Sequence, residues 1–167
     1  MIKLHVAEIK KSLVGEKRFA YEVTPEELNL NPEDLPVTGK IKLEGLISNA
    51  GDVLLLRGTV SATVKRVCRR CLKEFEAFST AEVLEKFYPS DADNIESDAY
   101  VYENDLVDVT EPVRESLILA EPLSVLCKED CQGLCPVCGA DRNVTRCGCE
   151  ERPIDPRLSA LKQLLKD

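Results

Sequence analysis

The sequence has no tryptophan, one methionine and one histidine, His5, and only 5% of its residues are aromatic. Without a second histidine, any Ser-His-Asp or Cys-His system would have to run through His5, which stands in the first strand-like segment near the chain end. There is no G-x-x-x-x-G-K-[ST] loop and no G-x-G-x-x-G motif to cradle a nucleotide. The thirty carboxylates are scattered over loops and helix faces, with no pair arranged for acid–base work. The expectation is a protein that is not an enzyme and takes no small-molecule substrate. Long apolar runs are missing too: nothing approaches the roughly 18 residues that a membrane span needs. The opening stretch, MIKLHVAEIKKSL, alternates polar and apolar residues and lacks the apolar core of a secretory signal. These absences predict a cytoplasmic protein that does not enter the membrane, and in the cytoplasm thiols stay reduced.

What the chain does have is an ample apolar fraction, a large negative charge and many cysteines. Of 167 residues 44% are hydrophobic, enough for a genuine core, so the eight cysteines are not needed to rescue a tiny scaffold. The formal charge of −8 makes the whole chain a poor general sink for nucleic acid, although a local basic patch can still bind it.

Three regions follow from the pattern. Residues 1–89 are strand-like. KIKLEGLIS places Ile41, Leu43 and Ile47 on alternating positions, and VLLLRGTVSATVKRV puts Leu54, Leu56, Val60, Ala62 and Val64 on one face. SNAGD between them, with Asn49 and Gly51, reads as a hairpin turn. EFEAFSTAEVLEKFY continues as a third strand. The reading is an antiparallel meander with strands near 38–48, 52–67 and 74–88. Ahead of it, TPEELNL at 24–30 reads as a short helix with Thr24 as N-cap and Pro25 in the first turn. Residues 90–126 begin with an acidic loop, SDADNIESD, which lacks the glycine and terminal glutamate of a calcium loop and reads as a solvated linker. A helix follows, capped by Asp108 or Thr110 and stopped by Pro122, with Val109, Val113 and Leu117 on one face. Residues 127–167 form a cysteine-rich ribbon with too little apolar surface to fold unaided. They end in DPRLSALKQLLKD, where Asp155 and Pro156 start a helix with a stripe of Leu158, Leu161, Leu164 and Leu165. The predicted fold class is α+β: an antiparallel β meander with packing helices and a C-terminal cysteine-rich zinc ribbon, folding as one cooperative domain.

The cysteines carry the chemistry. Cys135 and Cys138 form a C-x2-C step, CPVC, followed by Gly139. This spacing lets both sulfurs face one ion, and the glycine admits the positive φ that such a turn needs. Cys147 and Cys149, in CGC, complete a four-thiolate set suited to tetrahedral zinc. Cys68 and Cys71, in VCRRCL, sit between two predicted strands, where a hairpin tip makes a metal knuckle. With Cys127 and Cys131 they make a second set, which would close the long gap between Cys71 and Cys127. A single site sharing ligands from both regions is the alternative grouping. Disulfides do not suit a chain without an export signal, and CRRC is not at the strand-to-helix junction of a thioredoxin-type motif. Four thiolates suit iron as well as zinc; closed structural zinc, two ions, is the reading adopted.

Lys65, Arg66, Arg69, Arg70 and Lys73 form a basic run with no acid until Glu74, and Arg142, Arg146, Arg152 and Arg157 add a second group. Either they bind RNA phosphates or they balance the net negative charge of zinc held by four thiolates.

These pieces in order resemble the YceD family, the large ribosomal RNA subunit accumulation proteins: CRRCL after a strand-rich half, EPVRESLILAEPLSVLC, then CQGLCPVCGADRN, CGC and DPRLSALKQL. The resemblance runs from about residue 37 onward. It is most specific at Gly133-Leu134-Cys135-Pro136, Cys138-Gly139, Asn143 and Asp155-Pro156-Arg157. It implies a role in synthesis or accumulation of large-subunit ribosomal RNA, in bacteria and plastids, with ribosomal RNA or ribosome-assembly proteins as partners and no established catalytic residues. Only some members carry every ribbon cysteine, so the metal rests on spacing and not on the resemblance. The expected function is a zinc-stabilised, non-catalytic factor in ribosome biogenesis. The alternatives are a thiol–disulfide redox protein using Cys68 and Cys71, or a zinc-stabilised adaptor that binds only protein.

Overall fold

The computed structural model describes residues 1–149 other than Leu13, Asn94, Glu96 and Asp98. The chain divides into two compact units. The first comprises Met1–Arg66 and Phe75–Leu123; the second comprises Val67–Glu74 and the chain from Ser124 onward. The helix expected over DPRLSALKQLLKD lies outside the described residues, as do Arg152 and Arg157.

The first unit is mostly sheet with few helices, compatible with the α+β class. Its elements are β1 (Lys3–His5), α1 (Ala7–Lys10), β2 (Glu16–Val23), a 3-10 turn (Pro25–Leu28), β3 (Val37–Asn49), β4 (Leu54–Val67), β5 (Glu74–Pro89), β6 (Tyr100–Tyr102), β7 (Leu106–Asp108) and α2 (Thr110–Leu119). A five-stranded sheet runs in the order β2-β3-β4-β5-β6, and β1 pairs with β7 separately. β3 is antiparallel to both β2 and β4, as a meander requires, whereas β6 joins β5 in parallel over Phe87–Pro89. The SNAGD turn closes with the Ala50 N–H donating to the Val53 carbonyl at 2.9 Å and the Gly51 N–H donating to Asn49 Oδ1 at 3.0 Å.

Period-two alternation explains which face is buried. Ile41, Leu43 and Ile47 of β3, and Leu54, Leu56, Val60, Ala62 and Val64 of β4, are all buried. Each of the valine, leucine and isoleucine side chains taken out of water contributes about 1.5–3 kcal/mol, and Ala62 less. α2 closes over the same core with Val113 and Leu117, and Val109 just before it is buried as well. At its start Asp108 Oδ1 accepts the Thr110 N–H at 3.0 Å, while Thr110 Oγ1 accepts the Ile2 N–H at 2.7 Å. The TPEELNL segment folds as a single 3-10 turn where a short helix was expected. The Glu27 carboxylate accepts the Thr24 N–H at 2.8 Å, and Asn29 enters the left-handed region at φ 52° and ends it. β2, β6 and β7 have no clean apolar alternation: β2 lies at the sheet margin, with one fully buried residue, Val23. Tertiary pairing, not local pattern, makes them strands.

One ion pair anchors the end of α2 to the sheet. Glu121 accepts from Arg66 Nη2 at 2.7 Å and Nε at 3.0 Å, and Ser79 Oγ donates to it at 2.8 Å. The Arg66 and Glu121 side chains are only 13% and 22% exposed. Glu121→Ala would leave a largely buried guanidinium without its carboxylate, so the expected loss is about 2–3 kcal/mol of stability, read from urea unfolding. Glu121→Gln, which keeps acceptor and shape, should lose less.

Candidate metal centres

The second unit is built from the tip of the β4–β5 hairpin and the cysteine-rich segment. At the tip, the Cys68 N–H donates to the Lys73 carbonyl and the Leu72 N–H to the Cys68 carbonyl, both at 2.9 Å. In the segment, the Cys135 N–H donates to the Ala140 carbonyl at 2.8 Å and the Gly139 N–H to the Cys135 carbonyl at 2.9 Å. The two turns have the same hydrogen-bond pattern. In each, the residue after the second cysteine takes positive φ: 59° at Leu72 and 76° at Gly139. Glycine does this without strain; leucine at the tip does it at a cost that the surrounding turn holds in place.

These turns aim backbone donors at sulfur. The Cys68 thiol is drawn down to about 6, first by the Cys71 N–H and then, against burial, by those of Cys127 and Arg70. The Cys135 thiol also falls to about 6, through the N–H groups of Cys138 and Val137. Their neighbours move the other way. Burial, then the adjacent thiols, pushes Cys127 up to about 12; the neighbouring Cys138, then burial, does the same to Cys149. Four thiols packed together cannot all ionise unaided, but a central cation removes that conflict and takes them all as thiolates.

The eight cysteines fall into the two sets favoured by their spacing. Cys68, Cys71, Cys127 and Cys131 form one group, and Cys135, Cys138, Cys147 and Cys149 the other; within each, the sulfurs lie within 4.8 Å of one another. In the first group Cys68 and Cys131 sulfurs are 3.7 Å apart, and those of Cys71 and Cys127 are 3.6 Å apart. A tetrahedron of sulfurs about 2.3 Å from zinc has edges of roughly 3.8 Å, so the donor set fits a metal ion of that kind. The groups differ in exposure. Cys68, Cys71 and Cys131 are buried and Cys127 is half-buried. In the second group only Cys135 is buried, and Cys138 is exposed.

Backbone contacts hold the tip to the segment. The Arg69 N–H donates to the Val125 carbonyl and the Leu134 N–H to the Arg70 carbonyl, both at 3.0 Å. Arg70 Nη1 donates to the Cys131 carbonyl at 2.9 Å. Gly133, at φ 68°, lies so close that an added Cβ would stand 2.9 Å from the Arg70 carbonyl oxygen. Gly133→Ala should therefore separate Leu134 from Arg70 and expose the Leu134 amide to exchange, while the sheet amides keep their protection.

Asn143 links the loop of the second group to the first. Its Nδ2 donates to Cys131 Sγ at 3.5 Å and to Asp141 Oδ1 at 2.7 Å, and its Oδ1 accepts the Gln132 N–H at 2.9 Å. The Cys135 thiol beside it, more than any other group, raises the Arg142 guanidinium above its ordinary value. Asn143 has no task in the site from its place in the sequence, whereas Arg142 counts among the arginines that either bind RNA phosphates or balance thiolate charge, and it stands beside a thiol. A polar residue between cysteine pairs was the available signal, but its partner is set by the fold.

The basic run is split by these interactions. Arg66 is committed to Glu121 and is half-buried. Arg70 donates to the Cys131 carbonyl but is exposed, as are Lys65, Arg69 and Lys73. Of the second group, Arg142 and Arg146 line a cleft of about 610 Å³ beside Cys147 and Cys149.

Fold and site together define a sheet protein with two four-cysteine groups able to hold metal ions. Residues 56–165, which include all eight cysteines, match the family described as "Large ribosomal RNA subunit accumulation protein YceD". The chain belongs to the YceD family. It is 29% identical to the uncharacterized protein Rv2926c of Mycobacterium tuberculosis over 129 residues, 75% of this chain and 62% of that protein. The same figures hold for Mb2951c of Mycobacterium bovis, so the chain spans less than two thirds of these relatives' length. The uncharacterized protein YlbN of Bacillus subtilis is 28% identical over 152 residues, 89% of this chain and 88% of the relative. No solved structure matches. Among the described residues no helix is long and apolar enough to cross a membrane.

Proposed function

We propose that the protein is a non-catalytic, cytoplasmic factor that supports synthesis or accumulation of large-subunit ribosomal RNA, or assembly of that subunit, and that two zinc ions stabilise it. The observation that carries the reading is the family match over 56–165, a stretch that contains both cysteine groups. Zinc suits the donor set because all four positions in each group are sulfur, which leaves none for a substrate or a reactive water. Structural zinc then explains why a segment poor in apolar residues keeps a shape. Cys68 and Cys71 serve as ligands in this reading, not as a redox pair.

Binding of RNA phosphates falls to the hairpin tip, through Arg69 and Lys73. The test replaces both by Gln and measures binding to ribosomal RNA fragments across a salt series. If they touch phosphate, affinity drops for many sequences, and the slope of log K against log salt flattens by roughly 0.7–0.9 for each phosphate no longer neutralised. Zinc content stays constant, since neither side chain is a ligand. Unchanged RNA titration with weaker zinc retention assigns the two cations to charge balance and overturns the RNA-binding role of the tip.

A further inference from the structure

Only Gln132, Gly133 and Leu134 separate Cys131, in the first cysteine group, from Cys135, in the second. This linker is held from two sides. The Leu134 N–H donates to the Arg70 carbonyl of the hairpin tip at 3.0 Å. The Gly133 carbonyl accepts the Arg142 N–H, and the Gln132 N–H donates to Asn143 Oδ1, both at 2.9 Å. Leu134 also pairs with Asp141 as an antiparallel bridge. Asp141, Arg142 and Asn143 lie between Cys138 and Cys147, in the loop that joins the two halves of the second group. Linker and loop are thus one hydrogen-bonded piece.

Asn143 carries this piece onto a sulfur of the first group, with Nδ2 donating to Cys131 Sγ at 3.5 Å. Cys131 is only 1% exposed, so little water reaches it to donate in place of the amide. An N–H on a thiolate favours its charged form, and outer partners of metal ligands typically hold about 10–100-fold of a site's affinity. What keeps Asn143 in place is local and polar. Its N–H donates to Asp141 Oδ1 at 2.8 Å, and the N–H groups of Val144 and Thr145 donate to the Asp141 carbonyl at 3.1 and 2.9 Å. No apolar anchor holds the loop from Arg142 to Arg146, since Val144, its one apolar side chain, is 78% exposed. Exposed turns with few buried contacts open easily unless their ends are tied. Here the ends are Cys138 and Cys147, both members of the second group.

We propose that the two groups load metal cooperatively, and that Asn143 is the positioning residue through which they do so. With an ion held by Cys135, Cys138, Cys147 and Cys149, the loop is fixed at both ends and Nδ2 stays on Cys131. The first group then binds its own ion about tenfold more tightly. By linkage, filling the first group tightens the second by the same factor. The coupling rests on the metal reading above and adds to it that neither site binds as it would alone.

The test uses the full chain, stripped of metal under reducing conditions and titrated with an NMR-active cadmium isotope, which reports each filled group by its own resonance. Cys147→Ser with Cys149→Ser disables the second group, and the first group's cadmium affinity, read by competition with a chelator, should fall about tenfold. Asn143→Leu, which keeps every cysteine, should lower it as far. Combining the changes should cost little more than either, because both remove one interaction. On the unaltered chain, which needs no variant to fold, the first group's resonance should move as the second fills. Asn143→Leu should abolish that movement while both resonances persist, an effect that loss of fold would not produce. Equal affinity at the first group whether or not the second is filled overturns the proposal. So do losses that add in the combined variant, which separate Asn143 from the second group. Failure of either group to take up cadmium overturns the metal reading and the coupling with it; tight but independent uptake overturns the coupling alone.

Discussion

Cys68→Ser should release one of two zinc ions and free the hairpin tip from the Cys127–Cys131 segment. Cys71 and Cys127, 56 positions apart in sequence, have sulfurs 3.6 Å apart, so an ion bound at this group would close a long loop as well as a tetrahedron. Structural zinc contributes about 10–16 kcal/mol in zinc-finger peptides, and that binding energy is folding energy for the segment it organises. The loss therefore reaches beyond one side chain. Amides over 67–74 and 124–131 should exchange freely, among them those of Arg69 and Cys131. The sheet should persist, because Ile41, Leu43, Leu56 and Val60 are packed in a core of their own. Hydrogen exchange with elemental analysis of the same sample makes the measurement. Unchanged protection at 124–131, with two ions retained, would rule out the shared site.

Chelation should separate the two groups by rate. The Cys135, Cys138, Cys147, Cys149 group presents an exposed sulfur at Cys138, whereas three of the four sulfurs in the other group are buried. A chelator should remove one ion quickly and the second only as the unit opens, in two phases. Cys135→Ser should abolish the fast phase, leave the slow one, and free residues 132–149 without unfolding the sheet. Protein prepared without chelator should carry two zinc ions per chain. Iron in their place, or eight titratable thiols and no metal, would overturn the zinc reading at once.

Much of this architecture was legible before any coordinates. β3 and β4 carry strict alternation between a dry and a wet face, so Ile41, Leu43, Ile47 and Leu54 through Val64 could be assigned to the core by position alone. α2 was legible through Val109, Val113 and Leu117, three positions one turn apart on one face. β1 showed as the strand-like start around His5, but β2, β6 and β7 were not legible as separate strands, because short or marginal strands owe their form to a neighbour and not to their own pattern. The 3-10 turn at Pro25–Leu28 had the signals of a helix start, but Asn29 ends it after one turn.

The cysteine pairs show the same division. C-x2-C followed by a residue at positive φ is a local instruction: Cys135–Gly139 and Cys68–Leu72 make the same turn because each depends only on its own few residues. Spacing could also suggest which pairs belong together. The tertiary structure decided the rest, since the remaining interactions join residues far apart in the chain. Arg66 went to Glu121 and is half-buried, so of a run of five cations in the sequence four are exposed, Arg70 among them with one donor on the Cys131 carbonyl. Asn143 reaches Cys131, and Gly133 lies against Arg70. Periodicity and turn chemistry act over a few residues and are written in order along the chain. A hydrogen bond or ion pair between distant residues depends on where folding has placed both partners, and no single stretch of sequence records that.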